Sequence, residues 1–551
     1  MKNQTNINAY ILQAIRDNRD RMALTDFHSE SFQYKDVARK ITKLHILFEN
    51  SGINRGDKVA FCGKNSSNWA MAFLATITYG AVAVPILHEF KPDNIHHLVS
   101  HSDAKLLFVD SSIWENLDSS LMTGLSGVIN ISDYSLLFWR DKRLREARLH
   151  LNEAFGMIYP DRYTVDDLKV YDPKPDDVAV INYTSGSTGF SKGVVLTYRS
   201  LWSNIQFSID GLTFLKPGDG TVCMLPLAHM FGLTIELLHP FVKGCHISFL
   251  TRTPSPRVIM EAFSAIRPKL IISVPLIIEK IIKTKVFPVI EKPMMKLLLH
   301  LPVINNVVLG KLKTKLLGVF GGQLQEMIIG GAAINKDVEK FLRRIDFPVT
   351  VGYGMTECGP LISYAPWREA RKGASGKIVE RMNARVDSPD PAHIPGVLWV
   401  KGDNVMKGYY KNDEATAAVF DKNGWMSTGD IGCIDKDGYI YLRGRDKNMI
   451  LGPSGQNIYP EEIEQQLNNM PYVGESVVVD RNGKLVALIY PDMELVTREN
   501  LSSDRIKAII NDNVASLNKS LPAYSQISNV EVRHEEFEKT PKRSIKRYLY
   551  K

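Results

Sequence analysis

The chain reads as an α/β protein, with a large N-terminal domain of several subdomains, a small β lobe and a small α+β C-terminal domain. Three observations predict it. From Asp57 onward, short β-rich runs alternate with helical stretches, the βαβ rhythm that places helices over parallel-type sheets. After Pro395 the texture changes to brief β runs punctuated by glycine. At 551 residues, the chain also exceeds what one core holds, so two or more domains are expected.

The elements follow in order. Lys58–Phe61 reads as a strand, Trp69–Tyr79 as a helix closed by Gly80, Ala81–Val84 as a strand, Asn94–Ser102 as a helix and Leu106–Val109 as a strand. The uncharged stretch Trp69–Leu87 is as long as a membrane span, but Gly80 and Pro85 divide it, which favours a buried helix and strand. The strand pattern resumes at Val178–Ile181, Thr221–Leu225, His246–Leu250, Leu270–Val274, Met327–Ile329 and Val349–Val351. Val397–Lys401, Gly408–Lys411 and Gly438–Arg443 are assigned to the small, mostly antiparallel lobe. Beyond Arg445 come a Gly452–Gly455 turn, a helix from Pro460, strands at Ser476–Val479 and Leu485–Tyr490, and a helix over Ser503–Leu517. This divides the chain into domains 1–445 and 446–551.

A net charge of +8 is mild for this length and does not point to nucleic acid as a partner. Cys62, Cys223, Cys245, Cys358 and Cys433 make no Cys-x-x-Cys pair, so neither a zinc site nor a disulfide framework is expected. The N-terminal residues lack the apolar core of a signal peptide, and a reducing cytoplasm is the expected compartment.

The most informative stretch is Thr184-Ser185-Gly186-Ser187-Thr188-Gly189, followed by Lys192. Glycines let backbone N–H groups approach anionic oxygens, while hydroxyls and a lysine add donors and charge. The spacing is not the Gly-x-x-x-x-Gly-Lys-Ser/Thr phosphate loop, and by composition alone an ordinary surface loop is the commoner outcome.

Together with Pro226-Leu227-Ala228-His229-Met230-Phe231-Gly232, Gly330-Gly331-Ala332, Gly352-Tyr353-Gly354-Met355-Thr356-Glu357, Ser427-Thr428-Gly429-Asp430 and Gly444-Arg445-Asp446-Lys447, this stretch resembles the adenylate-forming superfamily along nearly the whole chain. The resemblance implies ATP, Mg²⁺ and a carboxylic acid in one site. Thr184 to Lys192 would grip the β- and γ-phosphates, Glu357 would hold Mg²⁺ and Thr356 a phosphate oxygen. Tyr353 would stack on adenine beside Gly331, Ala332, Gly352, Gly354 and Met355. Asp430 and Arg445 would take the ribose, and His229 would line the junction of acyl and nucleotide pockets. Outside such a motif, Glu357 would read as a helix-start carboxylate and His229 as structural. The resemblance also implies a mobile C-terminal domain, with Lys447 as its hinge and Gly452 to Gly455 entering the site for the thioester step.

The C-terminal end departs from the pattern, since Ser544 stands where relatives carry the lysine that contacts the carboxylate and α-phosphate. If the segment is extended, Lys542, Ser544 and Lys546 share a face, and either lysine could substitute; weakened adenylation is the alternative.

The segment Ser273–Ile281, with Phe320-Gly321-Gly322 and Gly330-Gly331-Ala332 downstream, looks like the long-chain fatty acyl-CoA synthetase branch, implying a fatty acid and coenzyme A as substrates, with an acyl carrier protein as the alternative acceptor. The basic, apolar stretch 280–317 suits peripheral contact with the inner face of the membrane, or equally a solvated helical face over a core.

Overall fold

Apolar runs too long to leave one face in water build the largest sheet of the computed structural model, which describes residues 6–184, 191–251, 255–282, 286–290, 292–295, 302–331, 334–451, 456–540 and 544–550. Contacts divide the chain into two units. The first takes in the residues up to Thr184, Ser191–Asn383 and Lys401–Ala418; the second takes in Ala384–Val400 and the chain from Val419 onward.

The first unit is dominated by an eight-stranded sheet in the order Gly408–Tyr409, Lys192–Thr197, Val178–Thr184, Val82–Ile86, Lys58–Cys62, Ala104–Val109, Gly127–Asn130 and Leu136–Trp139. Its middle five strands run parallel, as the βαβ rhythm requires, and the outer ones pair antiparallel. The helix Ser67–Tyr79 crosses over it with Trp69 and Phe73 fully buried. The Ser66 side chain caps that helix, and Gly80, at φ 93°, ends it in the left-handed conformation that the glycine was expected to supply. Among the described residues, no helix is long and apolar enough to cross a membrane.

The chain before Asp57 holds more structure than its sequence pattern suggests: helices Ile7–Asp17 and Tyr34–Asn50, and strands Met22–Asp26 and Ser31–Gln33. These two strands join Gly220–Cys223 and His246–Phe249 in a second sheet. A third, parallel sheet contains Leu270–Ser273, Glu326–Ile329 and Val349–Val351.

One expectation is corrected here. Gly408–Lys411 does not belong to the small β lobe. Gly408 pairs with Val195 and Tyr409 with Val194, so this segment is the edge strand of the eight-stranded sheet. A short β run carries no record of its partner, and this one pairs with a strand more than two hundred residues earlier.

In the second unit, Gly396–Gly402, Met426–Ile434 and Ile440–Arg445 pair antiparallel, as expected of the lobe. The strands Val473–Arg481, Lys484–Pro491 and Ile527–Val532 form a separate sheet, against which Ile463, Leu467, Ile506 and Ile510 pack from the helices Pro460–Leu467 and Ser503–Asn518. Buried Glu464 anchors this end of the chain, accepting a hydrogen bond from the Val478 N–H at 2.6 Å and pairing with Arg547.

The π-helix Gly232–Leu238 places Glu236 in the interior, where its Oε2 accepts the N–H groups of Met224 (3.1 Å) and Leu225 (2.8 Å). Burial raises its carboxyl to about 8, whereas the unperturbed value is 4.5. The stability held by the neutral folded form is complete below the unfolded value and is lost as pH rises through the folded one. The wild type should therefore lose stability between about pH 4.5 and 8, and Glu236→Gln, neutral throughout, should flatten that loss. Urea midpoints across this range check it; an equally steep decline in the variant would assign the loss to other groups.

Candidate functional site

The phosphate-loop candidate begins where two strands diverge. Val178–Thr184 and Lys192–Thr197 pair antiparallel as a hairpin, with Thr184 opposite Lys192 and Tyr183 opposite Gly193. Thr184 and Lys192 stand at the loop's base, where the Thr184 hydroxyl donates to the Lys192 carbonyl at 3.4 Å. Ser185, Gly186, Ser187, Thr188 and Gly189 lie outside the described residues.

Lys192 is on a strand bonded along both edges, and its neighbour on one side is Gly408–Tyr409. That pairing sets the Lys192 ammonium 4.8 Å from the centre of the Tyr409 ring. The same tyrosine donates its hydroxyl to Glu357 Oε1 at 2.9 Å. Burial, and then the adjacent Glu357 carboxylate, raise the Tyr409 hydroxyl well above its usual range, which keeps it a neutral donor. A cation from the loop hairpin and a carboxylate from a separate motif thus meet on one aromatic ring. Tyr409 was not among the sequence candidates. A Gly-Tyr-Tyr run in an apparent β lobe offered no sign that it would pair with the loop hairpin.

Glu357 sits in the 3-10 turn Thr356–Cys358, which buried groups hold from behind. Asn204 donates through Nδ2 to the Cys358 carbonyl at 3.1 Å and accepts the Leu361 N–H through Oδ1 at 2.9 Å. The Glu357 carbonyl accepts from the Met406 N–H at 2.8 Å. The approach to this turn needs glycine: a Cβ on Gly354 would lie 2.1 Å from the Pro360 carbonyl oxygen. Tyr353 is buried and pairs with Ser363, in a strand flanked by Gly352 and Gly354; Met355 is partly exposed.

His229 lies in a turn that its own N–H closes on the Pro226 carbonyl, just before the π-helix. Asn182 joins this motif to the phosphate-loop strand, donating to the Ala228 carbonyl at 2.8 Å from a fully buried position. Phe231, of the same motif, packs against Gly330, where a Cβ would come within 2.8 Å of its ring. Gly331 follows at φ 86° with open space where a Cβ would be, and Ala332 lies outside the described residues. Asn182 and Asn204 are further residues that sequence reasoning missed, because a buried asparagine acquires meaning only from the backbone groups it faces.

In the second unit the ribose candidates are brought together. Asp430 and Arg445 are cross-strand partners, with Arg445 Nε 2.7 Å from Asp430 Oδ1. Asp430 is nearly buried, and its N–H donates to the Thr428 hydroxyl, which itself donates to the Leu398 carbonyl. Lys447 lies in the turn Asp446–Asn448 and borders a cavity of about 300 Å³ with Ile450, Val478 and Arg547. Gly452 and Gly455 lie outside the described residues.

The C-terminal segment is not one extended run. Lys539 pairs antiparallel with Ile545, and the Thr540 N–H donates to the Ser544 carbonyl at 2.8 Å, so the chain turns back on itself. Lys542 lies outside the described residues, between these two arms. Lys546 is on the returning arm, 3.1 Å from Glu538. The extended run expected there gives way to a hairpin because the Thr540 N–H finds the Ser544 carbonyl and the Lys546 N–H the Glu538 carbonyl.

The family model described as "AMP-binding enzyme" matches residues 12–410, and that described as "AMP-binding enzyme C-terminal domain" matches residues 447–550. The 4-coumarate:CoA ligase 1 of Petunia hybrida is 26% identical over 529 residues, covering 92% of this chain and 88% of that protein. The long-chain-fatty-acid–CoA ligase 1 of Saccharomyces cerevisiae is 26% identical over 522 residues, covering 86% of this chain and 74% of that one. Among solved structures, ATP-bound MatB from Rhodopseudomonas palustris superposes with a TM-score of 0.77 at 22% identity, covering 99% of this chain and 98% of that chain. With one model spanning most of its length and another its C-terminal part, this chain belongs to the AMP-binding, adenylate-forming enzyme family.

Proposed function

We propose that the protein is an AMP-forming ligase that activates a long-chain fatty acid and transfers the acyl group to coenzyme A. The observation that carries the reading is the meeting of Lys192 and Glu357 on Tyr409 at the base of the loop hairpin. Two anions must react in the first step: a carboxylate oxygen attacks the α-phosphorus of ATP, and pyrophosphate leaves with the electron pair of the broken P–O bond. In the second step a thiolate adds to the acyl carbonyl and AMP departs. Lys192 would steady the leaving phosphates, and Asp430 with Arg445 the ribose. One carboxylate beside a hydroxyl, Glu357 with Thr356, suits Mg²⁺, which takes few protein ligands and completes its shell with phosphate oxygens and water. The ion would supply neutralising charge to the phosphates. Lys447 would be the hinge between the two half-reactions, with Gly452 to Gly455 serving the thioester step.

Coenzyme A as acceptor is favoured by the names of the relatives, which are CoA ligases; an acyl carrier protein carries the same phosphopantetheine thiol. Those names divide over the acid, which is 4-coumarate in one and long-chain fatty acids in another. Pyrophosphate–ATP exchange with a fatty-acid chain-length series and with 4-coumarate tests the choice. Exchange should rise toward long chains. Exchange with 4-coumarate alone would replace the fatty acid, and no exchange with any acid would remove the ligase reading in favour of nucleotide binding with weakened adenylation.

Tyr409→Phe keeps the ring under Lys192 and removes only the bond to Glu357, so exchange should fall by about 10-fold and require more Mg²⁺ for half-maximal rate. Glu357→Gln should cost about 100-fold or more. An unchanged Mg²⁺ requirement in Tyr409→Phe would confine the tyrosine to packing.

The ion pair of Lys546 with Glu538 is exposed and so worth about 1 kcal/mol or less, leaving that lysine free to exchange partners. Lys542→Ala or Lys546→Ala should reduce acyl-adenylate formation by about 100-fold. Unchanged exchange in both would show that neither replaces the lysine missing at Ser544.

A further inference from the structure

Within the stretch 280–317, Ile281, Ile282, Phe287, Leu309, Leu316 and Leu317 pack into the first unit's core, while Met294 and Val307 face water. A different surface combines exposed apolar groups with unneutralised positive charge. It is built from the consecutive helices Lys142–Leu149 and Leu151–Ile158 and the face of Tyr34–Asn50 on which they pack. We propose that this surface docks on an anionic lipid bilayer.

The apolar part is large and open. Leu149 is 66% exposed, Met157 81% and Ile158 55%, with Trp139 beside them on the preceding strand at 45%. Side chains of this size are placed in water singly on most proteins; here four are exposed within twenty residues of sequence, on one strand and the two helices that follow it. The helices' own hydrophobic needs are already met by Leu144, Leu151 and Phe155, which are buried, so the exposed residues are surplus to folding.

The charge around the patch is predominantly positive. Arg39 and Lys43 both lie over the Phe155 ring, at 5.4 and 5.2 Å, Lys40 lies 5.7 Å from the Tyr134 ring, and Arg145 lies 5.4 Å from that of Trp139. The carboxylates on the two helices and their approach are engaged locally: Asp141 with Arg143, Glu146 with Arg145 and His150, Glu153 with His150. Among the described residues, Arg39, Lys40, Lys43, Lys142 and Arg148 have no carboxylate within 4.0 Å. Burial, followed by the nearby charges of Arg39, Lys40 and Arg148, lowers the Lys43 ammonium below its usual range, as expected where cations crowd without counter-charge. Aromatic and aliphatic groups surrounded by lysine and arginine match both layers of an anionic interface: acyl chains take the former and headgroup phosphates the latter.

The inference does not depend on the ligase reading, because binding is measured without turnover. Flotation of the full chain with vesicles of phosphatidylcholine alone, or with added phosphatidylglycerol, should show binding to the anionic vesicles only, weakening as salt is raised. Each of Lys142→Glu and Arg145→Glu should lower partitioning by about fivefold or more. Leu149→Ser with Met157→Ser should abolish it while leaving the thermal midpoint unchanged, since both side chains already face water. Absence of binding to anionic vesicles overturns the proposal. Binding that survives the double serine variant also overturns it, marking a plain polyanion surface. A dimer in the wild type that the double serine variant disrupts, without vesicle binding, would assign the face to a second copy of this chain.

Discussion

The strand Lys192–Thr197 is the constraint on which the first unit's site depends. It bonds on one side to Val178–Thr184 and on the other to Gly408–Tyr409. Because register is set in steps of one residue and a single step reverses every side chain, the two ladders together determine that Lys192 and Tyr409 share a face. The meeting of Lys192 and Glu357 on one ring follows from that register. Supporting it from behind, Asn182 and Asn204 tie the His229 turn and the Glu357 turn to the strand Val178–Thr184 and to the helix Tyr198–Gly211.

Charge in this site is handled by enclosure. Tyr409 is kept protonated by burial and by the carboxylate it serves, so it remains a donor wherever the enzyme works. In a partly desolvated setting a hydrogen bond to a carboxylate is stronger than in water, and an aromatic face is a better neighbour for an ammonium than a competing anion would be. The arrangement leaves both Lys192 and Glu357 ordered without pairing them to each other. The second unit follows another route, holding Asp430 by a direct ion pair with Arg445 across a strand pair.

The C-terminal departure has a structural expression. Ser544 closes a hairpin whose outgoing arm ends at Thr540 and whose returning arm carries Lys546. Arg547, one residue on, is fastened to buried Glu464, so the returning arm is anchored at its far end, while the Lys546 pair with Glu538 is exposed.

The sequence by itself determined the α/β class, the order of the βαβ elements from Lys58 to Val109, the Gly80 cap and the family. Each is written in local periodicity, in the conformational freedom of a glycine, or in motifs a few residues long. The fold around Tyr34–Asn50, the placement of Gly408–Tyr409, the roles of Tyr409, Asn182 and Asn204, and the turn at Ser544 were decided only in the tertiary structure. So was the exposure of Trp139, Leu149, Met157 and Ile158 beside the buried Leu144, Leu151 and Phe155. The physical reason is common to all of them. Strand pairing, the partners of a buried amide and the exposure of an apolar side chain are relations between distant segments, and no window of residues contains both partners.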